Sequence, residues 1–224
     1  MRHGFLIAAA SSNSGKTTVT IGLLRAMRDR NVRVQPYKCG PDYIDTMLHR
    51  MASGRESVNL DTFMSSPAHV RSLFEGYSAD ADISVVEGVM GLFDGYDKSR
   101  GSSAEVAKTL GLPVVLVVNA KSVAYSVAPL IYGFRHFDAS VNVAGVIFNQ
   151  VASENHFRFL REACADAGVE CYGYLPHNAD LVIPSRHLGL TVQASDEVER
   201  LLRIAASEME KHVDIVRLME LGTR

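Results

Sequence analysis

A short segment near the start of the chain has the residues and spacing of a phosphate-binding loop. The letters ASSNSGKTT follow an apolar run, and Gly15, Lys16 and Thr17 match the pattern GxxxxGK(S/T), with Ala10 in place of the first glycine. An alanine there still lets the backbone amides point inward if its backbone angles are helical or extended. The alternative, a serine-rich turn that only caps a helix, is disfavoured because SGKTT stands at a strand-to-helix junction. The segment therefore predicts a nucleotide site.

Each residue type in this loop has a physical role. The Lys16 ammonium is expected to bridge the terminal phosphates, and the Thr17 hydroxyl is expected to bind Mg²⁺. Backbone amides at the start of the following helix suit an anion. The residues predicted to contact the nucleotide here are Asn13, Ser14, Gly15, Lys16, Thr17 and Thr18.

Four carboxylates follow two later apolar runs. Asp42 and Asp45 lie in KCGPDYID with Lys38, and Glu87 and Asp94 lie in VEGVMGLFDG. Strand ends of a parallel sheet meet at one edge, so these groups should lie near the phosphate loop. An acid at the tip of an apolar strand is the usual second half of such a metal site, and here it is Glu87. The surplus carboxylates could orient a substrate, bind a second metal or stabilise a loop, and both aspartates after Pro41 also suit a turn or helix cap.

Several other polar residues have structural explanations. Ser102 and Glu105 form a capping box, so Glu105 is expected to be structural. His49 is interpreted as a surface or core-edge residue, and Cys39 as a small buried hydrophobe. Asn149 ends an apolar run, where its amide could bind an adenine edge or simply terminate a strand.

Composition excludes several classes of protein. The 224 residues are 47% hydrophobic and 21% charged, with a net charge of −2, which argues against a general nucleic-acid binder or a basic membrane-surface protein. Three cysteines without a CxxC pair argue against a disulfide scaffold and favour the cytoplasm. No apolar run reaches the ~18 residues of a membrane span. We interpret the apolar start of the chain as a first strand and not as a targeting segment.

The hydrophobic pattern predicts the fold that must position these groups. Short continuous apolar runs, typical of strands buried on both faces, alternate with helical segments. The runs begin at Phe5, Val32, Ile83, Val114, Val143 and Cys171, and the helical segments span 16–30, 67–77, 102–110, 123–136 and 154–167. This order predicts an α/β fold, a three-layer, doubly wound, mostly parallel sheet.

The end of the chain has a different pattern. Residues 195–221 predict one amphipathic helix with an acidic first turn. Its expected apolar positions are Val198, Leu201, Leu202, Ala205, Met209, Val213, Val216 and Met219. We therefore predict a nucleotide-binding domain over 1–194, followed by a helix or linker over 195–224.

Taken together, these motifs resemble cobyrinic acid a,c-diamide synthases over nearly the whole chain. The resemblance rests on segments that occur in the same order: SGKTTVTIGLLRA, YKCGPDYIDTMLH, NLDTFM, VVEGVMGLFDG, GSSAEVAKTLGLPVVLVVNA, AGVIFNQV and IPSRHLGL. GPDYID together with EGVMGLFDG is the most specific part. The resemblance implies a P-loop fold of the dethiobiotin synthetase type, here without the glutamine amidotransferase domain that follows in the family.

The resemblance also implies a reaction and its participants. ATP and Mg²⁺ would be the cofactors, and the a and c carboxylates of a corrinoid would be amidated through an acyl phosphate, with ammonia from an amidotransferase. Thr17, Asp42 and Glu87 would hold the metal. Lys16 would neutralise phosphate charge, Lys38 would dock the incoming carboxylate, and Asn149 would hold the adenine. Asp45 and Asp94 would position the acceptor or ammonia, or take a proton.

Two alternatives stay open at this stage. The same chemistry could act on another tetrapyrrole, such as nickel sirohydrochlorin. A nucleotide switch of the MinD or ParA type is similar in fold. Such proteins carry a second lysine early in the loop, and Ser11 at this position in the present chain weighs against that class. No nucleic-acid or membrane partner is expected, and a homodimer is left open.

Overall fold

Strands and helices alternate along the chain in the computed structural model, which describes residues 4–181, 183 and 196–223. The strands are β1 Gly4–Ala9, β2 Val34–Cys39, β3 Val58–Leu60, β4 Ile83–Glu87, β5 Val114–Asn119, β6 Val143–Val151 and β7 Glu170–Pro176. The α-helices are α1 Lys16–Asp29, α2 Ile44–Ser53, α3 Pro67–Ser78, α4 Ser103–Leu110, α5 Val127–His136, α6 Glu154–Asp166, α7 Asp196–His212 and α8 Ile215–Thr223. A 3₁₀ turn spans Ala179–Leu181.

The strands form one sheet in the order β3-β2-β4-β1-β5-β6-β7, and the recorded strand pairs are all parallel. The carboxyl ends of these strands therefore share one edge, where ligands bind in such sheets. The six predicted strands are confirmed. The pattern missed two elements, the three-residue strand β3 and the helix α2 that precedes it.

Helices cover both faces of the sheet, which confirms the three-layer arrangement. Side chains of β1 alternate between the faces: Leu6 and Ala8 join the core under α3 to α6, whereas Phe5, Ile7 and Ala9 join the core under α1, α2, α7 and α8. Both cores are continuous and apolar along β1 and along β5 up to Val118, as expected for strands buried on two sides.

The predicted single helix at the end of the chain is two helices. The chain leaves α7 at Val213, which forms a bridge with Gly173 of β7, and the Asp214 amide donates to the Tyr172 carbonyl at 2.8 Å. Because α8 does not continue the helical repeat of α7, Ile215 is buried and Val216 is exposed. The placement of Val216 on the apolar face of one continuous helix was therefore wrong.

The first part of this tail packs onto the body of the fold. Leu202, Ala205 and Met209 of α7 are fully buried in the core that α1 also lines. The division at residue 194 remains a prediction, and most of the segment IPSRHLGL lies outside the described residues. In the part of the chain that the structure describes, no helix combines the length and apolarity that crossing a bilayer requires.

Candidate active site

The phosphate loop connects the end of β1 to the start of α1. Gly15, immediately before the helix, has a left-handed backbone with φ 96°, which glycine adopts without strain. Ala10 does not have a positive φ, so its side chain is compatible with the loop. Across α1, which the structure describes in full, the first turn contains no acidic residue and Gly15 provides no side-chain cap. The helix amides at this end are thus suited to an anion, as predicted.

Internal hydrogen bonds hold the loop in shape. The Ser14 hydroxyl donates to the Ser11 carbonyl at 2.9 Å, and the Asn149 amide donates to the Ser14 carbonyl at 3.1 Å. Asn149 is nearly buried at the end of β6, and a Cβ atom on Gly15 would lie only 2.0 Å from its Nδ2. Asn149 therefore braces the loop, and its contact with adenine remains a prediction. Of the other predicted loop contacts, Asn13 is exposed and Thr18 is half-buried in the first turn of α1.

Lys16 connects the phosphate loop to the loop after β4. Its Nζ donates to the Met90 carbonyl at 2.5 Å and lies 3.5 Å from the Ser11 carbonyl. The Leu92 amide also donates to the Ala9 carbonyl at 2.8 Å, so the two loops are directly joined. The lysine side chain is buried, and its ammonium lies between the phosphate loop and the loop after β4.

A buried cluster of opposite charges lies next to Thr17. The Thr17 hydroxyl donates to Glu87 Oε1 at 2.7 Å and lies 3.4 Å from Asp45 Oδ2. Lys38 Nζ lies 2.7 Å from Asp45 Oδ2 and 2.9 Å from Glu87 Oε1, and it donates to the Gly88 carbonyl at 3.1 Å. The structure therefore brings together groups from α1, β2, α2 and β4 that lie up to 70 residues apart in sequence.

The charges in this cluster perturb one another. Burial by itself would raise the pKa of Glu87, but the Lys38 charge and a hydrogen bond from His49 outweigh it, and the pKa of Glu87 lies well below its ordinary value. Burial would lower the pKa of Lys38, but Glu87 and Asp45 raise it above its ordinary value. Burial and the charge of Glu87 raise the pKa of Asp45. Glu87 and Lys38 thus form an ion pair in the interior, where an unpaired charge would be strongly unfavourable.

Two of the predicted carboxylates have local structural contacts. Asp42 Oδ1 accepts hydrogen bonds from the backbone amides of Ile44 and Asp45, at 2.9 and 3.0 Å, so it caps the start of α2. Asp94 Oδ2 accepts from the Gly91 amide at 2.9 Å and shapes the loop after β4. The capping interpretation holds for Asp42 and not for Asp45, whose carboxylate lies in the charge cluster. Roles for Asp42 and Asp94 in metal or acceptor binding remain predictions.

His49 is the residue that the sequence interpretation misplaced. It is fully buried on α2, with Nε2 2.6 Å from Glu87 Oε2 and Nδ1 3.0 Å from the Ser57 hydroxyl. The expected surface or core-edge position was wrong, because Glu87 provides a buried partner that lies 38 residues away. Helical spacing offered one signal: Asp45 and His49 are four residues apart and so share a helix face.

The expected structural residues are also clear. Ser102 caps α4 by accepting from the Glu105 amide, and the Glu105 carboxylate accepts hydrogen bonds from Gly101 and Thr62. Cys39 is buried in the core, and burial raises the pKa of its thiol to about 12. The hydrogen bonds of Glu105 and the burial of Cys39 agree with the structural roles expected for these two residues.

The chemistry of the cluster fits a bound Mg²⁺. Hydroxyl and carboxylate oxygens of Thr17, Asp45 and Glu87 converge, and the Lys38 ammonium stands among them as a cation would. Mg²⁺ uses one or two carboxylates together with phosphate oxygens and water. Among the described residues, no group of three His, Cys, Asp or Glu side chains is arranged to hold a metal on its own. A phosphate oxygen of a bound nucleotide would be a further ligand of the kind that Mg²⁺ uses.

Comparison with known families identifies the nucleotide-binding family to which this geometry belongs. Residues 5–190 match the model described as the CobQ/CobB/MinD/ParA nucleotide binding domain. The chain belongs to this family. Its phosphate loop, parallel sheet and buried acid at the end of β4 are thus features of a nucleotide-binding domain.

Curated relatives in this family narrow the resemblance. The chain is 46% identical over 222 residues to cobyrinate a,c-diamide synthase of Listeria monocytogenes, covering 97% of this chain and 49% of the relative. It is also 46% identical over 224 residues to hydrogenobyrinate a,c-diamide synthase of Brucella suis, covering 99% and 51%. The chain thus spans about half the length of these relatives. The expected resemblance to a,c-diamide synthases is confirmed.

A solved structure supports the fold. The chloroplast FtsY of Physcomitrella patens superposes with a TM-score of 0.54 at 17% identity, covering 80% of this chain and 60% of that protein. At this identity the likeness concerns the fold alone.

Proposed function

We propose that this chain is the ATP-binding half of an amide synthase that acts on the a and c carboxylates of cobyrinic or hydrogenobyrinic acid. The proposal is supported by the equal identity to relatives of both names, over nearly the whole chain. The observation that carries it is the convergence of Thr17, Asp45 and Glu87 beside Lys16, where a nucleotide and an acceptor carboxylate can meet.

The chemistry follows from the groups at this edge. A substrate carboxylate oxygen attacks the γ-phosphorus of ATP, the bond to ADP breaks, and an acyl phosphate forms. Ammonia then attacks the acyl carbon, phosphate leaves, and the nitrogen loses a proton to a base. Lys16 stabilises the charge that develops on the phosphates, and Mg²⁺, if held by Thr17, Asp42 and Glu87, would supply further charge neutralisation.

The remaining polar groups serve the acceptor. Two anions must approach each other in the first step. Lys38 would dock the incoming carboxylate by leaving its ion pairs with Asp45 and Glu87. Asp45 and Asp94 position the acceptor or ammonia, or take the proton from the ammonium-like nitrogen. Asn149 holds the adenine in addition to bracing the loop.

Ammonia comes from a glutamine amidotransferase partner in this proposal. A glutaminase needs a nucleophile beside an activating base. Cys39 and Cys164 are buried, with the thiol of Cys39 at a raised pKa, and Cys171 lies within β7. Cys164 lies within α6 and Cys171 within β7, so neither stands at a strand-to-helix elbow. Cys39 ends β2 beside Lys38, where a glutaminase centre would compete with ATP.

One assay tests the function and separates the alternatives. The chain is incubated with ATP, Mg²⁺, a high ammonium concentration, and cobyrinic acid, hydrogenobyrinic acid or nickel sirohydrochlorin in turn. We expect ADP release and slow amidation of a corrinoid by mass spectrometry, and no amidation when glutamine replaces ammonium. Amidation of nickel sirohydrochlorin alone would move the substrate to another tetrapyrrole. ATP turnover that ignores every tetrapyrrole would favour a nucleotide switch and refute the proposal.

A further inference from the structure

The buried histidine of α2 forms the middle of a short chain of hydrogen bonds. His49 and Glu87 are both completely buried, and His49 Nε2 lies 2.6 Å from Glu87 Oε2. An ionised carboxylate only accepts hydrogen bonds, so His49 Nε2 carries the proton and donates it. His49 Nδ1 lies 3.0 Å from the Ser57 hydroxyl, within hydrogen-bond distance. Hydrogen bonds therefore connect Ser57, His49 and Glu87 in series.

The two oxygens of Glu87 have different partners. Oε2 accepts from His49, whereas Oε1 accepts from the Thr17 hydroxyl at 2.7 Å and from Lys38 at 2.9 Å. The last torsion of a glutamate side chain is broad and has no strong preference of its own. The hydrogen bond at Oε2 therefore acts together with those at Oε1 in fixing which way the carboxylate faces. Without it, only the contacts at Oε1 keep the carboxylate turned toward Thr17.

We propose that His49 is a positioning residue that holds Glu87 Oε1 toward the Thr17 hydroxyl, and so sets the concentration of Mg²⁺ at which the chain binds nucleotide. This inference rests on the proposed function for its ligand, a magnesium nucleotide. Carboxylates that bind metals are commonly fixed by hydrogen bonds of this kind, and removing such a partner typically lowers metal affinity about 10–100-fold. His49 touches no nucleotide atom in this proposal; it acts through Glu87.

Two substitutions separate the hydrogen bond from the packing. His49→Leu fills a similar volume but has no donor, whereas His49→Gln keeps an amide that can donate to Glu87. Ser57→Ala removes the second step of the chain and leaves His49 in place. A matched control is His156→Leu, because His156 Nε2 contacts the Val123 carbonyl at 2.6 Å on the other face of the sheet.

The readout is binding of a fluorescent ATP analogue, titrated with Mg²⁺ in the absence of any corrinoid. We expect His49→Leu to raise the Mg²⁺ midpoint about 10–100-fold while analogue affinity at saturating Mg²⁺ stays within a few-fold of the parent. His49→Gln should restore most of the shift, Ser57→Ala should give a smaller one, and His156→Leu should give none. A purely structural role predicts instead an equal loss of affinity at every Mg²⁺ concentration.

Each result bears on the inference. Equal Mg²⁺ midpoints for the parent and a folded His49→Leu variant would overturn it, as would a shift that His49→Gln fails to reverse. If circular dichroism shows that His49→Leu does not fold, the Mg²⁺ midpoints of His49→Gln and Ser57→Ala are compared instead. An unchanged Mg²⁺ midpoint in Ser57→Ala would then overturn the proposed series of hydrogen bonds. A shifted midpoint in a chain that amidates no corrinoid would support the inference and refute the proposed function. A parent chain that binds no magnesium nucleotide would refute both.

Discussion

Replacing Gly15 by alanine should lower the free energy of unfolding by about 2–5 kcal/mol. Two terms contribute to this value. Holding an L residue in the left-handed conformation observed at φ 96° costs about 1–2 kcal/mol. The new Cβ would also lie 2.0 Å from Asn149 Nδ2, so the amide must move away and leave the Ser14 carbonyl without its partner, at about 1–3 kcal/mol.

A second substitution divides these two terms. The Gly15 Cβ position lies 3.6 Å from Asn149 Cβ, an ordinary contact, so the Asn149→Ala background leaves room for an alanine at position 15. In that background Gly15→Ala should cost only the backbone term, about 1–2 kcal/mol. The coupling energy between the two positions should therefore be about 1–3 kcal/mol.

Urea denaturation of the parent, both single variants and the double variant measures this coupling. Gly76→Ala on α3 is the matched control, since a Cβ there would meet nothing within 4 Å, and it should stabilise the chain by about 0.5–1 kcal/mol. If Gly15→Ala costs the same in both backgrounds, to within about 0.5 kcal/mol, the contact between the loop and β6 does not exist as described.

Three further perturbations test the phosphate loop, the charge cluster and the surface. Lys16→Ala should weaken ATP binding by about 1.5–3 kcal/mol through loss of a charge-assisted phosphate contact, and unchanged affinity in calorimetric titration with ATP and Mg²⁺ would contradict the loop assignment. Lys38→Met should lower the free energy of unfolding by about 3–5 kcal/mol because two buried carboxylates lose their cation. Adding Asp45→Asn should recover part of that loss in urea denaturation. A double variant less stable than Lys38→Met alone would refute the ion-pair account. Hydrogen bonds from Ser140 and a lysine lower the pKa of Asp138 from 3.8 to about 2. A depressed carboxyl pKa gives stability above pH 3.8 that disappears as pH falls through about 2. Asp138→Asn should therefore have a lower Tm than the parent at pH 7 and nearly the same Tm at pH 2. A difference in Tm that persists at pH 2 would argue against the shift.

The features that could be predicted from the sequence are those encoded by neighbouring residues. Gly15, Lys16 and Thr17 are adjacent, and their backbone context of strand, loop and helix follows from a single apolar run before them. The parallel sheet was predictable because each buried strand is a continuous apolar run. Since parallel strands end at one edge, the position of Glu87 near Thr17 followed from the same pattern.

The missed features depend on contacts between distant segments. β3 has only three residues, Val58–Leu60, too few for a periodic signal, and it is defined by pairing with β2. His49 is buried because Glu87 and Ser57 surround it, and neither partner is visible from a helical pattern. The break after α7 likewise depends on Gly173, whose φ of 125° lets the backbone of His212 approach closely.

The position of the Lys38 ammonium has a consequence for competition between ligands. The ammonium lies between two carboxylates, at 2.7 and 2.9 Å, and its side chain extends from β2, the second strand from one edge of the sheet. A bare divalent ion must displace the Lys38 ammonium from these carboxylates, and because that ammonium is covalently attached it always competes for them. A metal that arrives already chelated by a polyphosphate also brings anionic charge for Lys16 to bind. We therefore expect the chain to bind a magnesium nucleotide more readily than bare Mg²⁺, with the nucleotide and its metal entering together.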